Sequence, residues 1–160
     1  MQPLVLGLGN ELIADDGIGI LAARNLKSQL RNEADVVESS LSGLALLDLL
    51  VGYDKAIIID ALFSGHHPPG TIIQLSMDDL SSVVAPTPHF AGLPELFALA
   101  QRLELDFPEE LIIFAVEVED PLTIGGSLSP AVEQALPVLM DQVVGQIALW
   151  EEIYSKSPAA

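Results

Sequence analysis

Short aliphatic segments alternate along this chain with segments of helical periodicity, and this alternation is the feature that most constrains its fold. Five segments rich in aliphatic and β-branched residues predict strands: Leu4–Leu8, Ala34–Glu38, Lys55–Asp60, Gly70–Leu75 and Glu110–Val118. Strands that alternate with helices are typical of a mostly parallel sheet covered on both faces. We therefore predict an α/β fold of three layers, α/β/α, around a mostly parallel, twisted sheet.

Four further segments predict the helices of the outer layers. The first carries apolar residues at helical spacing from Ile18 to Leu30. The last begins favourably, with Ser129 as a cap and Pro130 in the first turn. The helices predicted after the first are Leu44–Val51, Leu93–Leu103 and a final helix that runs to about Ile153.

The chain has 160 residues, of which half are hydrophobic, and this is sufficient for one packed core. No linker, internal repeat or low-complexity segment divides it. We predict a single domain over residues 1–154 and a disordered tail over residues 155–160.

Composition excludes several classes of protein. The chain has no cysteine, which excludes disulfides, thiol catalysis and zinc–thiolate sites. Its formal charge of −17 would repel nucleic acid and anionic lipid, so we expect neither as a partner. The longest apolar run is too short to span a bilayer, and the start MQPLVLG lacks the basic residues of a signal peptide. We expect a soluble, monomeric protein of the cytoplasm.

The first strand leads into the stretch LGLGNELIADDGIG, Leu6–Gly19, which resembles a dinucleotide-binding loop. Leu12 stands where the third glycine of that fingerprint belongs, and no Walker A sequence occurs. Asp15 and Asp16 would also face a pyrophosphate with like charge. These features argue against nucleotide binding.

Carboxylates follow the predicted first and third strands. Ligands of open α/β sheets lie beyond the carboxyl ends of the strands, where Asp15, Asp16 and Asp60 are found. If the two strands are neighbours, these carboxylates converge and suit a divalent cation or acid–base chemistry. The structural alternatives are that Asp15 or Asp16 caps the following helix and that Asp60 is a polar strand end in solvent.

Histidine occurs three times. His66 and His67 are adjacent in a loop, and we interpret them as exposed residues. His89 lies in the proline-stiffened segment APTPHFAGL, where a structural role and a ligand role both remain open. Because the motifs of zinc peptidases, serine hydrolases and cysteine nucleophiles are absent, any hydrolysis would use carboxylates, a histidine or a metal-bound water.

Taken in order, these motifs resemble the hydrogenase maturation proteases, endopeptidases that trim the C-terminus of the large subunit of nickel–iron hydrogenases. The match begins with G-x-G-N-x-x-x-x-D-D-G-x-G at Gly7–Gly19 and continues with an apolar strand ending at Asp60. Pro69–Gly70 then leads into a strand, a histidine follows in the Pro86–Phe90 loop, and the LSPAVEQALP segment comes last. The resemblance covers nearly the whole chain.

The resemblance implies a nickel-recognising triad of Asp16, Asp60 and His89. One hypothesis is that Asp16 or Asp60 is the catalytic base while the metal polarises the scissile carbonyl. It also implies a precursor that arrives loaded with nickel, so the metal is bound transiently and no permanent cofactor is expected. The partner is then the large-subunit precursor of a nickel–iron hydrogenase. The peptidase would be of aspartyl or metal-dependent type.

One departure from the family pattern lies at the end of the last strand. The family often has Gly-x-Glu/Gln-Pro there, whereas Ala115–Val118 lacks both the glycine and the proline.

Two readings compete with an endopeptidase: a non-catalytic nickel-binding or chaperone-like module for hydrogenase assembly, and a nucleotide-binding α/β domain.

Overall fold

The computed structural model describes residues 2–82, 89 and 92–156. Five strands form one sheet in the order β2-β1-β3-β5-β4. Neighbouring strands are parallel except for β4, which runs antiparallel to β5. The strands are β1 Leu4–Leu8, β2 Asp35–Ser39, β3 Lys55–Leu62, β4 Ile72–Ser76 and β5 Glu110–Glu117. Each predicted strand is confirmed to within two residues at either end.

The helices are α1 Ile18–Gln29, α2 Leu47–Leu50, α3 Leu93–Arg102 and α4 Pro130–Lys156. A 3-10 turn, Gly43–Leu46, forms the first half of the segment predicted as the second helix. Helix α4 continues to Lys156, beyond the predicted end near Ile153, and so includes the first two residues of the predicted tail. The rest of that tail, residues 157–160, lies outside the described residues. No helix in the described part of the chain is long and apolar enough to cross a membrane.

The helices cover both faces of the sheet, as predicted. Alternate side chains of each strand point to opposite faces, so Val5, Ile57 and Phe114 pack with residues of α1 and α4. Leu6, Ile58 and Ile113 instead pack with α2, α3 and the turn before α2. The α/β/α architecture around a mostly parallel sheet is therefore confirmed.

Glycines let the first turn of α1 lie directly on the carboxyl ends of β1 and β3. A Cβ atom on Gly19 would lie 2.2 Å from the carbonyl oxygen of Leu8 and 2.4 Å from that of Ile59. A Cβ atom on Gly7 would lie 2.2 Å from the carbonyl oxygen of Gly19. Any side chain at either position would push α1 away from the sheet. The turn that precedes α1 is thereby held against the sheet edge.

The opposite, amino edge of the sheet is closed by Trp150, the one tryptophan of the chain. Its buried indole Nε1 donates a hydrogen bond of 2.7 Å to Oε1 of Glu110, the first residue of β5. The ammonium of Lys55 lies 5.2 Å from the indole ring centre and 3.3 Å from Oε2 of Glu110. This end of α4 is thus fixed to β3 and β5.

Candidate active site

Strands β1 and β3 are hydrogen-bonded neighbours, which is the condition that brings their carboxylates together. Their parallel register pairs Leu4 with Ala56 and Gly7 with Ile59. Both strands therefore end at the same edge of the sheet, where the turn before α1 also lies.

Asp60 stands near the end of β3 and is fully buried, with 0% of its surface exposed. Its Oδ1 accepts a hydrogen bond of 2.9 Å from the N–H of Ala61. The alternative that Asp60 is a solvent-facing strand end is therefore wrong. Because a buried carboxylate costs desolvation free energy, its place here requires charged or polar neighbours.

Asp16 lies in the 3-10 turn Ala14–Gly17, and its side chain is 15% exposed. Its Oδ2 accepts a hydrogen bond of 2.9 Å from the N–H of Asn10, whose own side chain accepts from the N–H of Leu12. Burial raises the pKa of Asp16; the positive charge of His89 opposes the rise, and the negative charge of Asp60 adds to it. Asp16 therefore holds a proton more tightly than an ordinary surface aspartate.

His89 lies between the two carboxylates, with a side chain that is 12% exposed. Its Nδ1 is 3.2 Å from Oδ1 of Asp60, and its Nε2 is 4.0 Å from Oδ2 of Asp16. The close contact with Asp60 raises the pKa of His89, and this effect outweighs burial, which lowers it. The rest of the predicted Pro86–Phe90 loop lies outside the described residues.

The contact between His89 and Asp60 is short but poorly directed. Within the described part of the chain, Nδ1 of His89 is a buried atom with no hydrogen-bond partner, despite its 3.2 Å distance from the Asp60 oxygen. The contact is therefore an ion pair when His89 is protonated. The hydrogen-bonding capacity of this buried nitrogen is therefore not used by any described residue.

The three residues predicted as metal ligands are thus brought together, but not in a chelating arrangement. Among residues 2–82, 89 and 92–156, no group of three or more His, Cys, Asp or Glu side chains is placed to hold a metal ion. The imidazole directs one nitrogen to each carboxylate, whereas a metal would take a single nitrogen. Oxygen and imidazole donors do suit a borderline divalent ion such as nickel, provided that the ring turns.

Asp15 faces away from this cluster and is fully buried. Its carboxylate accepts from the N–H groups of Glu119, Asp120 and Ser129, at 3.0, 2.9 and 2.6 Å, and from the Ser129 hydroxyl at 2.8 Å. The expectation that Asp15 or Asp16 caps α1 is wrong, because the residue preceding this helix is Gly17 and no side chain caps it. The turn is instead joined to the β5–α4 connection.

Ser129 stands just before α4, as predicted, but its hydroxyl serves another element. Its carbonyl oxygen accepts from the N–H of Glu133, which begins the helical hydrogen bonding. Its hydroxyl donates to Asp15.

Glu117, at the end of β5, is a third buried carboxylate whose role the sequence did not indicate. It accepts hydrogen bonds from the N–H and hydroxyl of Ser64 and from the N–H of Gly65, the last at 2.6 Å. It thereby fastens the loop that follows β3. His66 and His67, in the same loop, are exposed, as predicted.

Two carboxylates and an imidazole at one edge of the sheet can move protons and attract a cation. Asp16, with its raised pKa, is suited to accept a proton from water. His89 can exchange a proton with either carboxylate. The arrangement is therefore suited to hydrolysis, with or without a bound metal.

The comparisons with known proteins all match this chain to proteins of hydrogenase maturation. A family model described as hydrogenase maturation protease matches residues 20–146, a span that begins after Asp16 and includes Asp60 and His89. The hydrogenase 2 maturation protease of Escherichia coli K12 is 28% identical over 92% of this chain and 91% of its own length. The hydrogenase expression/formation protein HupD of Rhodobacter capsulatus is 30% identical over 92% and 71%.

Two solved structures share the fold over most of their length. The hydrogenase-maturating endopeptidase HybD from E. coli has a TM-score of 0.80 and 29% identity, and the match covers 95% of this chain and 94% of HybD. The NiFe hydrogenase maturation protease HybD from Thermococcus kodakarensis has a TM-score of 0.72 and 27% identity, with coverage of 92% and 99%.

Proposed function

This chain belongs to the hydrogenase maturation protease family, and from that premise we propose that it is an endopeptidase acting on the large-subunit precursor of a nickel–iron hydrogenase. It removes a short C-terminal peptide and so completes maturation of the subunit. The observation that most supports this proposal is the meeting of Asp16, Asp60 and His89 at the carboxyl edge of the sheet.

The nickel belongs to the substrate in this proposal. Asp16, Asp60 and His89 recognise the ion that the precursor already carries, with His89 turning so that one nitrogen joins the two carboxylates. Three protein ligands leave coordination positions for groups of the precursor or for water. The protein then needs no permanent metal, and cleavage is restricted to loaded precursors.

The chain's own groups provide the proton transfers of hydrolysis. A carboxylate, Asp16 or Asp60, takes a proton from the attacking water while the water oxygen bonds to the scissile carbonyl carbon. The same proton then passes to the amide nitrogen as the carbon–nitrogen bond breaks, which releases the peptide as an amine.

Intact-mass spectrometry of a nickel-loaded precursor incubated with the protein tests the proposal. We expect loss of the mass of a short C-terminal peptide, no loss from nickel-free precursor, and no loss with Asp60→Asn. His66→Ala, in an exposed loop histidine, is the matched control and should cleave normally. A loaded precursor that binds but keeps its mass would instead indicate an assembly chaperone. The cytoplasmic location and the monomeric state stay predictions.

A further inference from the structure

Asp15 is a buried carboxylate for which the proposed chemistry has no use. It is fully enclosed, and its side chain receives four hydrogen bonds from Glu119, Asp120 and Ser129. Its own N–H also donates a bond of 3.0 Å to the carbonyl oxygen of Asp120. Five hydrogen bonds therefore join this one residue to the β5–α4 connection.

All four donors to the Asp15 side chain are neutral. No Lys, Arg or His of the described residues forms an ion pair with it. A buried carboxylate without an opposite charge is an inefficient way to stabilise a fold, because desolvation offsets much of what its hydrogen bonds contribute. A carboxylate can instead fix the relative positions of its neighbours, since only an acceptor with several lone pairs can bind four converging donors.

The hydrogen bonds of Asp15 constrain the position of the next residue, Asp16. Asp15 and Asp16 occupy the same 3-10 turn, but Asp15 is bound to the β5–α4 connection, whereas Asp16 contacts Asn10 and His89. On its other side the turn rests on Gly9, where a Cβ atom would lie 2.0 Å from the carbonyl oxygen of Asp16. The backbone that carries Asp16 is thus held between Gly9 and the bonds of Asp15.

We propose that Asp15 is a positioning residue that orients Asp16 towards Asp60 and His89 by tying their common turn to the β5–α4 connection. Small displacements of a reacting group lower catalytic rates steeply. Asp15 therefore acts on turnover, although it touches neither the substrate nor the reacting atoms. The catalytic part of this inference rests on the proposed function.

The variant Asp15→Asn tests the proposal. An asparagine has nearly the same shape but must direct its NH₂ group at a neighbouring N–H, so the turn shifts. We expect kcat for the loaded precursor to fall roughly 10- to 100-fold, with KM changed less than about 3-fold.

A second readout does not depend on cleavage. The N–H of Asn10 is bonded to the Asp16 carboxylate, so its hydrogen exchange reports where that carboxylate lies. We expect the Asn10 amide of Asp15→Asn to exchange about 10-fold faster or more, while amides in the middle of β3 keep their protection. A residue that only anchored α4 would leave the Asn10 amide unchanged.

Ser129→Ala is the matched control. It removes one donor, the hydroxyl, and leaves three backbone donors in place. We expect the Asn10 amide to stay protected and kcat to stay within about 3-fold of the original value.

The proposal is overturned if folded Asp15→Asn keeps both kcat and the Asn10 protection. If that variant does not fold, Asp15→Glu decides, because it keeps a carboxyl group but moves it by one methylene. Unchanged kcat and Asn10 exchange in Asp15→Glu would also overturn the proposal. If the unaltered protein does not cleave the precursor, the proposed function fails, and the Asn10 amide still decides the role of Asp15.

Discussion

Asp15 and Asp16 are consecutive carboxylates in one turn, and they have nearly opposite surroundings. Asp15 has no exposed surface and four hydrogen-bond donors, all of them 104 to 114 residues away in the sequence. Asp16 is partly exposed and, among the described residues, receives one hydrogen bond, from the nearby Asn10. Its other close neighbours are the ionisable side chains His89 and Asp60.

In the proposed function, one turn thus carries a supporting residue beside a catalytic one. A carboxylate that accepts from four neutral donors is held in place and has less left to offer a ligand. A carboxylate with one donor keeps lone pairs for a proton or a cation. The two functions are placed on adjacent residues because a 3-10 turn sends successive side chains in different directions.

Asp16→Asn should have the largest effect of the variants that test this difference between Asp15 and Asp16. Its amide oxygen can still accept from Asn10, but it can neither take a proton from water nor bind a cation as a carboxylate does. We expect processing of the loaded precursor to fall about 10³-fold. Because burial raises the pKa of Asp16, loss of its charge should not destabilise the fold, and Tm should change by less than about 2 °C. Rate measurements and thermal unfolding check the two parts.

An Asp16→Asn variant that unfolds easily but cleaves at the normal rate would contradict the proposed division of roles between Asp15 and Asp16. Asp16 would then be the anchor of the turn.

The next test concerns stability on the other side of the turn. Asp15→Ala leaves the part-buried N–H groups of Glu119, Asp120 and Ser129 without their acceptor. We expect the free energy of unfolding to fall by about 3 kcal/mol, because each donor that loses its acceptor away from bulk water is costly. Denaturant unfolding measures the change. Ser129→Ala should lose only about 1 kcal/mol, and a similar small loss in Asp15→Ala would show that the anchoring is weak.

The smallest expected effect is a pH dependence of the thermal stability, caused by His89 beside Asp16 and Asp60. The pKa of His89 is raised above its usual 6.5 by Asp60, so protonated His89 stabilises the folded state. That contribution is complete below about pH 6.5 and is lost as the pH rises through the raised pKa. Compared with His89→Ala, the protein should therefore be about 1–3 °C more stable at pH 6, and the difference should shrink towards pH 9. A difference that grows with pH would contradict this.

Patterns within single elements were predictable from the sequence. Strand β1 spans the predicted residues, and β3 follows from its run of isoleucines, because β-branched residues favour buried strands. Helix α1 follows from the spacing of its apolar residues. What the sequence left open was whether β1 and β3 are neighbours, and only the strand order answers that.

The hydrogen-bond partners of Asp15 could not be predicted from local rules. An aspartate before a helix ordinarily suggests a cap, but here tertiary partners outweigh that preference. Those partners are mainly backbone N–H groups, which every residue except proline possesses, so no residue type at Glu119 or Asp120 marks them. The partners of Glu117 were not predictable either. Its donors belong to the loop after β3 and come close to it only because β3 and β5 are paired.

His89 shows a different difficulty. Its segment is rich in proline and has no periodicity, so only the family resemblance singled it out. The structure adds that its ring lies against both carboxylates. The proposed ligand set thus depends on three separate parts of the chain, each of which is ambiguous when taken alone.

The position of Trp150 has a practical consequence. The indole is the only one in the chain, and it is buried at the amino edge, where α4 packs on Lys55 and Glu110, at the opposite end of the strands from Asp16 and Asp60. Its fluorescence is therefore an intrinsic optical reporter of whether α4 is docked on the sheet. Substitutions in the turn before α1 can be followed with it, without a label and without disturbing the emission of the folded state.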